Sequence, residues 1–83
     1  MFKATIDVML RPSVLDPQGV AVKGSLHILG FTEVEEVRIG KRIEVMLKSD
    51  TRKEAEERIR QMSEKMLANL VIETFTFVLE EVK

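Results

Sequence analysis

Ser13-Val14-Leu15-Asp16-Pro17-Gln18-Gly19 is the stretch in which several restrictive residue types converge on one local geometry. Asp16 is placed to cap a helix whose first residue is Pro17: its carboxylate accepts from the backbone N–H of Gln18 or Gly19, and proline has no N–H to leave unsatisfied. Leu15 and Val20 occupy the positions of a hydrophobic staple. Gly19, without a Cβ, permits close approach by another backbone, which an ordinary helix start does not require. The stretch therefore predicts a rigid corner between a first strand and a first helix.

Upstream of the corner, Phe2, Ala4, Ile6, Val8 and Leu10 alternate with Lys3, Thr5, Asp7, Met9 and Arg11, a period-two pattern that predicts a strand with one buried face. Pro12 ends it. Downstream, Ala21, Val22, Ser25, Leu26, Ile28 and Leu29 gather on one helical face, and Gly30 supplies a left-handed stop with Phe31 folding back toward Leu26. Val34, Val37 and Ile39 then lead into Gly40-Lys41, followed by Ile43, Val45 and Leu47 in alternation, which predicts a hairpin with its turn at Gly40-Lys41. Thr51 and Glu54 fit a capping box, and Ala55, Ile59, Met62 and Met66 form a helical stripe. Glu54–Arg58 and Glu56–Arg60 have the spacing of ion pairs on its outer side. Asn69 is placed as a left-handed stop, after which Phe75, Phe77 and Leu79 share one face of a last strand.

The order is β-α-β-β-α-β, so the expected fold is α+β and ferredoxin-like: a four-stranded antiparallel sheet with two helices on one face, in a single domain over residues 1–83. The other face would show Thr5, Met9, Arg38, Glu44, Met46, Thr76 and Val78, a mixed surface suited to a partner.

Composition narrows the function. Thirteen Lys and Arg against 14 Asp and Glu give no bulk attraction to nucleic acid or anionic lipid. The absence of Cys removes disulfides and thiolate metal sites. With no apolar run near membrane length and no signal-like start, the expectation is a cytoplasmic protein with no membrane partner. His27 is the one histidine and has no sequence-placed partner. Gly40-Lys41-Arg42 lacks the earlier glycine and the following Ser or Thr of a phosphate loop; turn geometry accounts for Gly40, with Arg38, Lys41 and Arg42 expected to form a small basic cluster suited to a solvated turn or an acidic partner surface. The adjacent Glu35 and Glu36, and likewise Glu80 and Glu81, point to opposite faces of a strand and cannot act as carboxylate pairs. RNA-binding modules share this element order but stack bases on exposed sheet aromatics. Here Phe2, Phe75 and Phe77 face inward, and Phe31 belongs to the helix stop. Acyl-phosphate hydrolases of this topology carry a glycine-rich, arginine-bearing loop after the first strand, which this chain lacks.

Ser13 to Gly19 with Ala21-Val22, then Phe31, Val34 and Val37-Arg38-Ile39-Gly40-Lys41, then Leu67-Ala68-Asn69 and Val71-Ile72-Glu73, resemble the PurS family, the small subunit of phosphoribosylformylglycinamidine synthase. The resemblance spans nearly the whole chain, with Leu70 where family members often have Pro. It implies a non-catalytic subunit of purine biosynthesis, joining a glutaminase subunit to a large synthetase subunit and helping ammonia pass between them. It also implies a homodimer or homotetramer and no cofactor on this chain, since the partner subunits use ATP and glutamine. The candidate contact residues are Leu15, Asp16, Pro17, Gln18, Gly19, Arg38, Gly40, Lys41 and Asn69, with no catalytic, cofactor or metal residues. The alternative from another class is a small-ligand-binding regulatory domain of the same topology.

Overall fold

The computed structural model describes residues 1–82; Lys83, the last residue of the expected domain, lies outside the described residues. Strands β1 (Phe2–Leu10), β2 (Gly40–Leu47) and β3 (Glu73–Glu81) form an antiparallel sheet in the order β2-β1-β3. Helix α1 (Pro17–Ile28) follows β1. Helix α2 (Arg52–Met62) follows β2 and continues into a π-helical turn over Ser63–Leu67.

The alternation of β1 is realised in full. Ala4 stands between Val45 and Leu79, Ile6 between Ile43 and Phe77, and Val8 faces Phe75. Phe2, Ala4, Ile6 and Val8 are buried with Ala55, Ile59, Ala68 and Leu79 in one core between the sheet and α2. Thr51 caps α2, its hydroxyl accepting from the Glu54 N–H at 3.1 Å. Arg52 donates to the Leu79 carbonyl at 3.0 Å, and the Arg60 guanidinium lies 5.8 Å from the centre of the Phe77 ring. Arg60 thus ties α2 to β3 in place of the expected pair with Glu56, whose carboxylate lies 4.0 Å from Arg52 instead.

Four expectations are corrected. The sheet has three strands, because residues 34–39 join no strand and the predicted hairpin does not form. Gly40 opens β2 opposite Met9, and the only positive φ among the described residues is Gly30 at 104°, so the left-handed turn a tight hairpin needs is missing at Gly40. Glu35 and Glu36 interrupt the apolar alternation that would have held a fourth strand on the core side.

Second, the two helices do not share one sheet face. Among the described residues α2 is the helix that packs on the sheet, whereas α1 projects from the end where Leu10, Gly40 and Glu73 meet, giving a molecule 51 Å long and 14 Å thick. Val20, Ile28 and Leu29 are 60%, 87% and 72% exposed, so this helix keeps its apolar side in water. Leu15 is 74% exposed as well, and with Val20 it does not close the staple.

Third, the α2 stripe turns away from the methionines. Ala55, Ile59 and Ser63 are buried while Met66 is 86% exposed, because the wider π turn, closed by Ala68 N–H donating to the Ser63 carbonyl at 2.9 Å, shifts the buried side to Ala68. Fourth, Asn69 is not left-handed. It makes an Asx turn, its side-chain oxygen accepting from the Val71 N–H at 3.1 Å.

Ser63 carries a fully buried hydroxyl without a hydrogen-bond partner among the described residues. An unpaired buried hydroxyl costs stability that a methyl group would not. Ser63→Ala is therefore expected to raise unfolding stability by about 1 kcal/mol. The check is urea denaturation, reading a higher midpoint at unchanged slope.

Candidate partner-contact site

The corner forms as its residues dictate. Asp16 caps α1, accepting from the Gly19 N–H at 2.9 Å, and Pro17 takes the first helical position. At the other end the Phe31 N–H donates to the Leu26 carbonyl at 2.9 Å and the Gly30 N–H to the His27 carbonyl at 3.1 Å, the paired bonds of a Schellman stop. His27 Nε2 lies 2.7 Å from the Val34 carbonyl, which can only accept, so that nitrogen carries the proton.

The second oxygen of Asp16 does what sequence spacing could not show: it accepts from the Ile39 N–H at 2.6 Å. One buried carboxylate, 4% exposed, thereby joins the start of α1 to the segment entering β2. The Ile39 and Gly19 backbone bonds hold the Asp16 carboxyl below its ordinary value, aided by the nearby Arg38 charge and opposed by burial. Gly19 completes the joint. A Cβ there would collide with the Val37 carbonyl and lie 2.9 Å from an Asp16 oxygen, so the close backbone approach expected of Gly19 is that of Val37.

Arg38 closes the corner from the far side. Its guanidinium donates to the Arg11 carbonyl at 3.0 Å, the Val14 carbonyl at 3.3 Å and the Leu10 carbonyl at 3.4 Å. Leu10 ends β1 and the other two residues lie in the turn after it, where the Arg11 carbonyl also accepts from the Val14 N–H at 2.9 Å. Arg38 is thus a clamp on its own chain and does not stand on the bare sheet face. Arg38→Ala is expected to cost about 1–2 kcal/mol, since hydrogen bonds to a charged donor are lost while the carbonyls keep some access to water. Arg38→Lys should recover little of it, because an ammonium cannot span three carbonyls as the guanidinium fork does; thermal melts of the two variants provide the check.

The remaining candidates separate. Lys41, Arg38 and Arg42 do not form the expected basic cluster: Lys41 reaches Glu73 at 3.8 Å and Arg42 pairs with Asp7 at 2.8 Å on the opposite side of the sheet. Gly40 packs against Val8 and Met9. Asn69 donates its N–H to Glu73 at 2.7 Å, so Glu73, part of the third motif but not among the contact candidates, links Lys41 to Asn69. Leu15, Pro17 and Gln18 are exposed at the corner. Beside them a cleft of about 400 Å³ runs between Pro12–Leu15 and Glu35–Arg38. The bare sheet face presents Met9, Met46 and Val78 among the Asp7–Arg42 and Lys3–Glu44 ion pairs. Among the described residues, no cluster of His, Asp and Glu could hold a metal ion, and no helix is long and apolar enough to cross a membrane.

A thin α+β domain, one helix packed and the other held at its root by Asp16 with its apolar side uncovered, has the build of a subunit made for assembly. The chain belongs to the PurS family, phosphoribosylformylglycinamidine (FGAM) synthase, which matches residues 3–81. It is 44% identical to the PurS subunit of phosphoribosylformylglycinamidine synthase from Bacillus subtilis, over 99% of this chain and 96% of that protein. Its fold matches the crystal structure of Methanocaldococcus jannaschii PurS with a TM-score of 0.89 at 32% identity, covering both chains completely. It also matches a chain of the PurLQS structure from Thermotoga maritima with a TM-score of 0.87 at 29% identity, over 95% of this chain and 96% of that one. The family expected from the three motifs is thus established.

Proposed function

We propose that this chain works in the cytoplasm as the non-catalytic bridging subunit of the synthase, joining the glutaminase subunit to the large ATP-dependent synthetase subunit and assisting ammonia transfer in purine synthesis. The observation that carries this reading is the likeness of nearly the whole chain to one chain of the Thermotoga maritima PurLQS structure. The chemistry asks for such a part. Ammonia released into neutral water becomes mostly ammonium, which has no lone pair for attack, so the two active sites must be held in register around a passage that excludes water. A small domain stiffened at a charged corner supplies positioning without supplying a reactive group.

On this reading the chain takes no cofactor of its own. ATP and glutamine should leave the melting temperature of the isolated chain unchanged, because only a ligand that binds the folded state raises it. Size-exclusion chromatography of the mixed subunits is the assembly test. The bridge requires the glutaminase and synthetase subunits to elute together when this chain is present and apart when it is omitted; co-elution without it contradicts the reading.

A further inference from the structure

The hydrogen bonds at the two ends of β3 fix which way its backbone faces. The Val82 N–H donates to the Met1 carbonyl and the Arg11 N–H to the Ile72 carbonyl, both at 2.8 Å, so the even-numbered residues between them turn their backbone groups toward β1. Glu73, Phe75, Phe77 and Leu79 turn theirs the other way, to the outer edge of the sheet. Both ends of that edge are closed within the chain. The Glu73 N–H donates to the Asn69 carbonyl at 2.7 Å, and Arg52 donates to the Leu79 carbonyl at 3.0 Å. Between them, among the described residues, no group outside the sheet meets the N–H or C=O of Phe75 and Phe77. These two residues present their donors and acceptors about 7 Å apart, the repeat of an extended chain.

We propose that this window takes one extended segment of a protein partner, added to the sheet as a further strand beside β3. Backbone pairing supplies the affinity in such a contact, and side chains at alternate positions select the partner. β3 carries neither Pro nor Lys, residues that commonly guard a free edge. On the α2 side Phe75 and Phe77 are only half-buried, so apolar side chains of the incoming segment complete their cover beside Arg60. On the other side Thr74, Thr76 and Val78 are exposed and β-branched, which suits them to cross-strand pairs.

Charge defines the occupant further. The ionisable groups of β3 are Glu73, Glu80 and Glu81; Lys41 lies 3.8 Å from Glu73, while Glu80 and Glu81 are exposed. The occupant is therefore a segment with apolar or β-branched residues at alternate positions and a Lys or Arg at the end that meets Glu80 and Glu81. A second β3 does not fit, because its charged residues are carboxylates as well. The owner of the segment rests on the synthase reading: it belongs to a partner subunit, and a bridge needs such a surface in addition to the corner at α1.

Amide hydrogen exchange of this chain, alone and in the complex reconstituted from the host's glutaminase and synthetase subunits, tests the proposal. In the isolated chain the Phe75 and Phe77 amides should exchange fast, and those of Thr76 and Val78, which face β1, slowly. In the complex the Phe75 and Phe77 amides are expected to slow roughly tenfold or more. Glu80→Lys combined with Glu81→Lys is expected to raise the dissociation constant of the chain from the complex roughly tenfold, and an unchanged constant contradicts a basic occupant. Fast exchange at Phe75 and Phe77 within an assembled complex overturns the proposal and leaves the synthase reading standing; if no complex assembles, both fall. Slow exchange of these amides already in the isolated chain means that a second copy covers the edge, and overturns the proposal too.

Discussion

Replacing Asp16 by Ala is expected to lower the melting temperature by roughly 5–15 °C, more than loss of a helix cap alone would. The reason is that two backbone donors lose their acceptor at once, Gly19 at 2.9 Å and Ile39 at 2.6 Å, and the site is too enclosed for water to replace both. Asp16→Asn separates the two contributions. An amide can keep the cap through its oxygen, but it must then turn N–H groups toward the Ile39 N–H, so a loss near that of Ala identifies the joint to β2 as the larger part. The same carboxylate fixes a pH dependence. Its folded-state pKa is depressed, so the unfolded chain binds the proton more readily. The contribution is complete above the ordinary carboxylate value near ~4 and is lost as pH falls below that, through the folded value. Melts taken from pH 6 down to pH 2 should show wild type and Asp16→Ala converging as the acid deepens; parallel curves would refute the linkage.

Gly19→Ala should be at least as damaging, although alanine is the better helix former by about 1 kcal/mol. The new Cβ would press on the Val37 backbone carbonyl and on the Asp16 carboxylate, and neither can step aside. Val37 is fixed by its neighbours Arg38 and Ile39, each of which is bonded to the corner. We expect a net loss of about 2 kcal/mol or more, toward the upper end of the range for overpacking. Gly24→Ala is the internal control. It lies in the same helix with open space around it, so the propensity gain should appear there undiminished as a small stabilisation. If both variants are stabilised, the close approach of Val37 to Gly19 has no energetic weight.

These two residues show what could be read in the chain and what could not. The cap at Asp16, the stop at Gly30 and the burial alternation of β1 are consequences of neighbours a few positions apart, and each formed as its residue types require. Gly19 signalled a close backbone contact, yet nothing in its surroundings named Val37. The second bond of Asp16 spans 23 positions and the Arg38 clamp 24 to 28, distances at which sequence spacing carries no geometric information. The missing fourth strand has a different cause. Residues 34–39 have half a strand pattern, and whether that half pairs depends on which edge is within reach. Likewise the stripe through Met62 and Met66 assumed an unbroken 3.6 repeat, which the π turn at Ser63–Leu67 displaces. Within the contact candidates, Arg38 and Lys41 were read as one cluster but serve two different intrachain bonds, which leaves Leu15, Pro17 and Gln18 as the exposed part of the corner.

The bridging role itself is tested most directly by reconstituting the host's glutaminase and synthetase subunits with and without this chain, and measuring formylglycinamidine ribonucleotide formation with glutamine or with ammonia as nitrogen donor. A bridge predicts that omission abolishes the glutamine-dependent rate while ammonia-dependent synthesis persists. Equal glutamine-dependent rates in the presence and absence of the chain would contradict it.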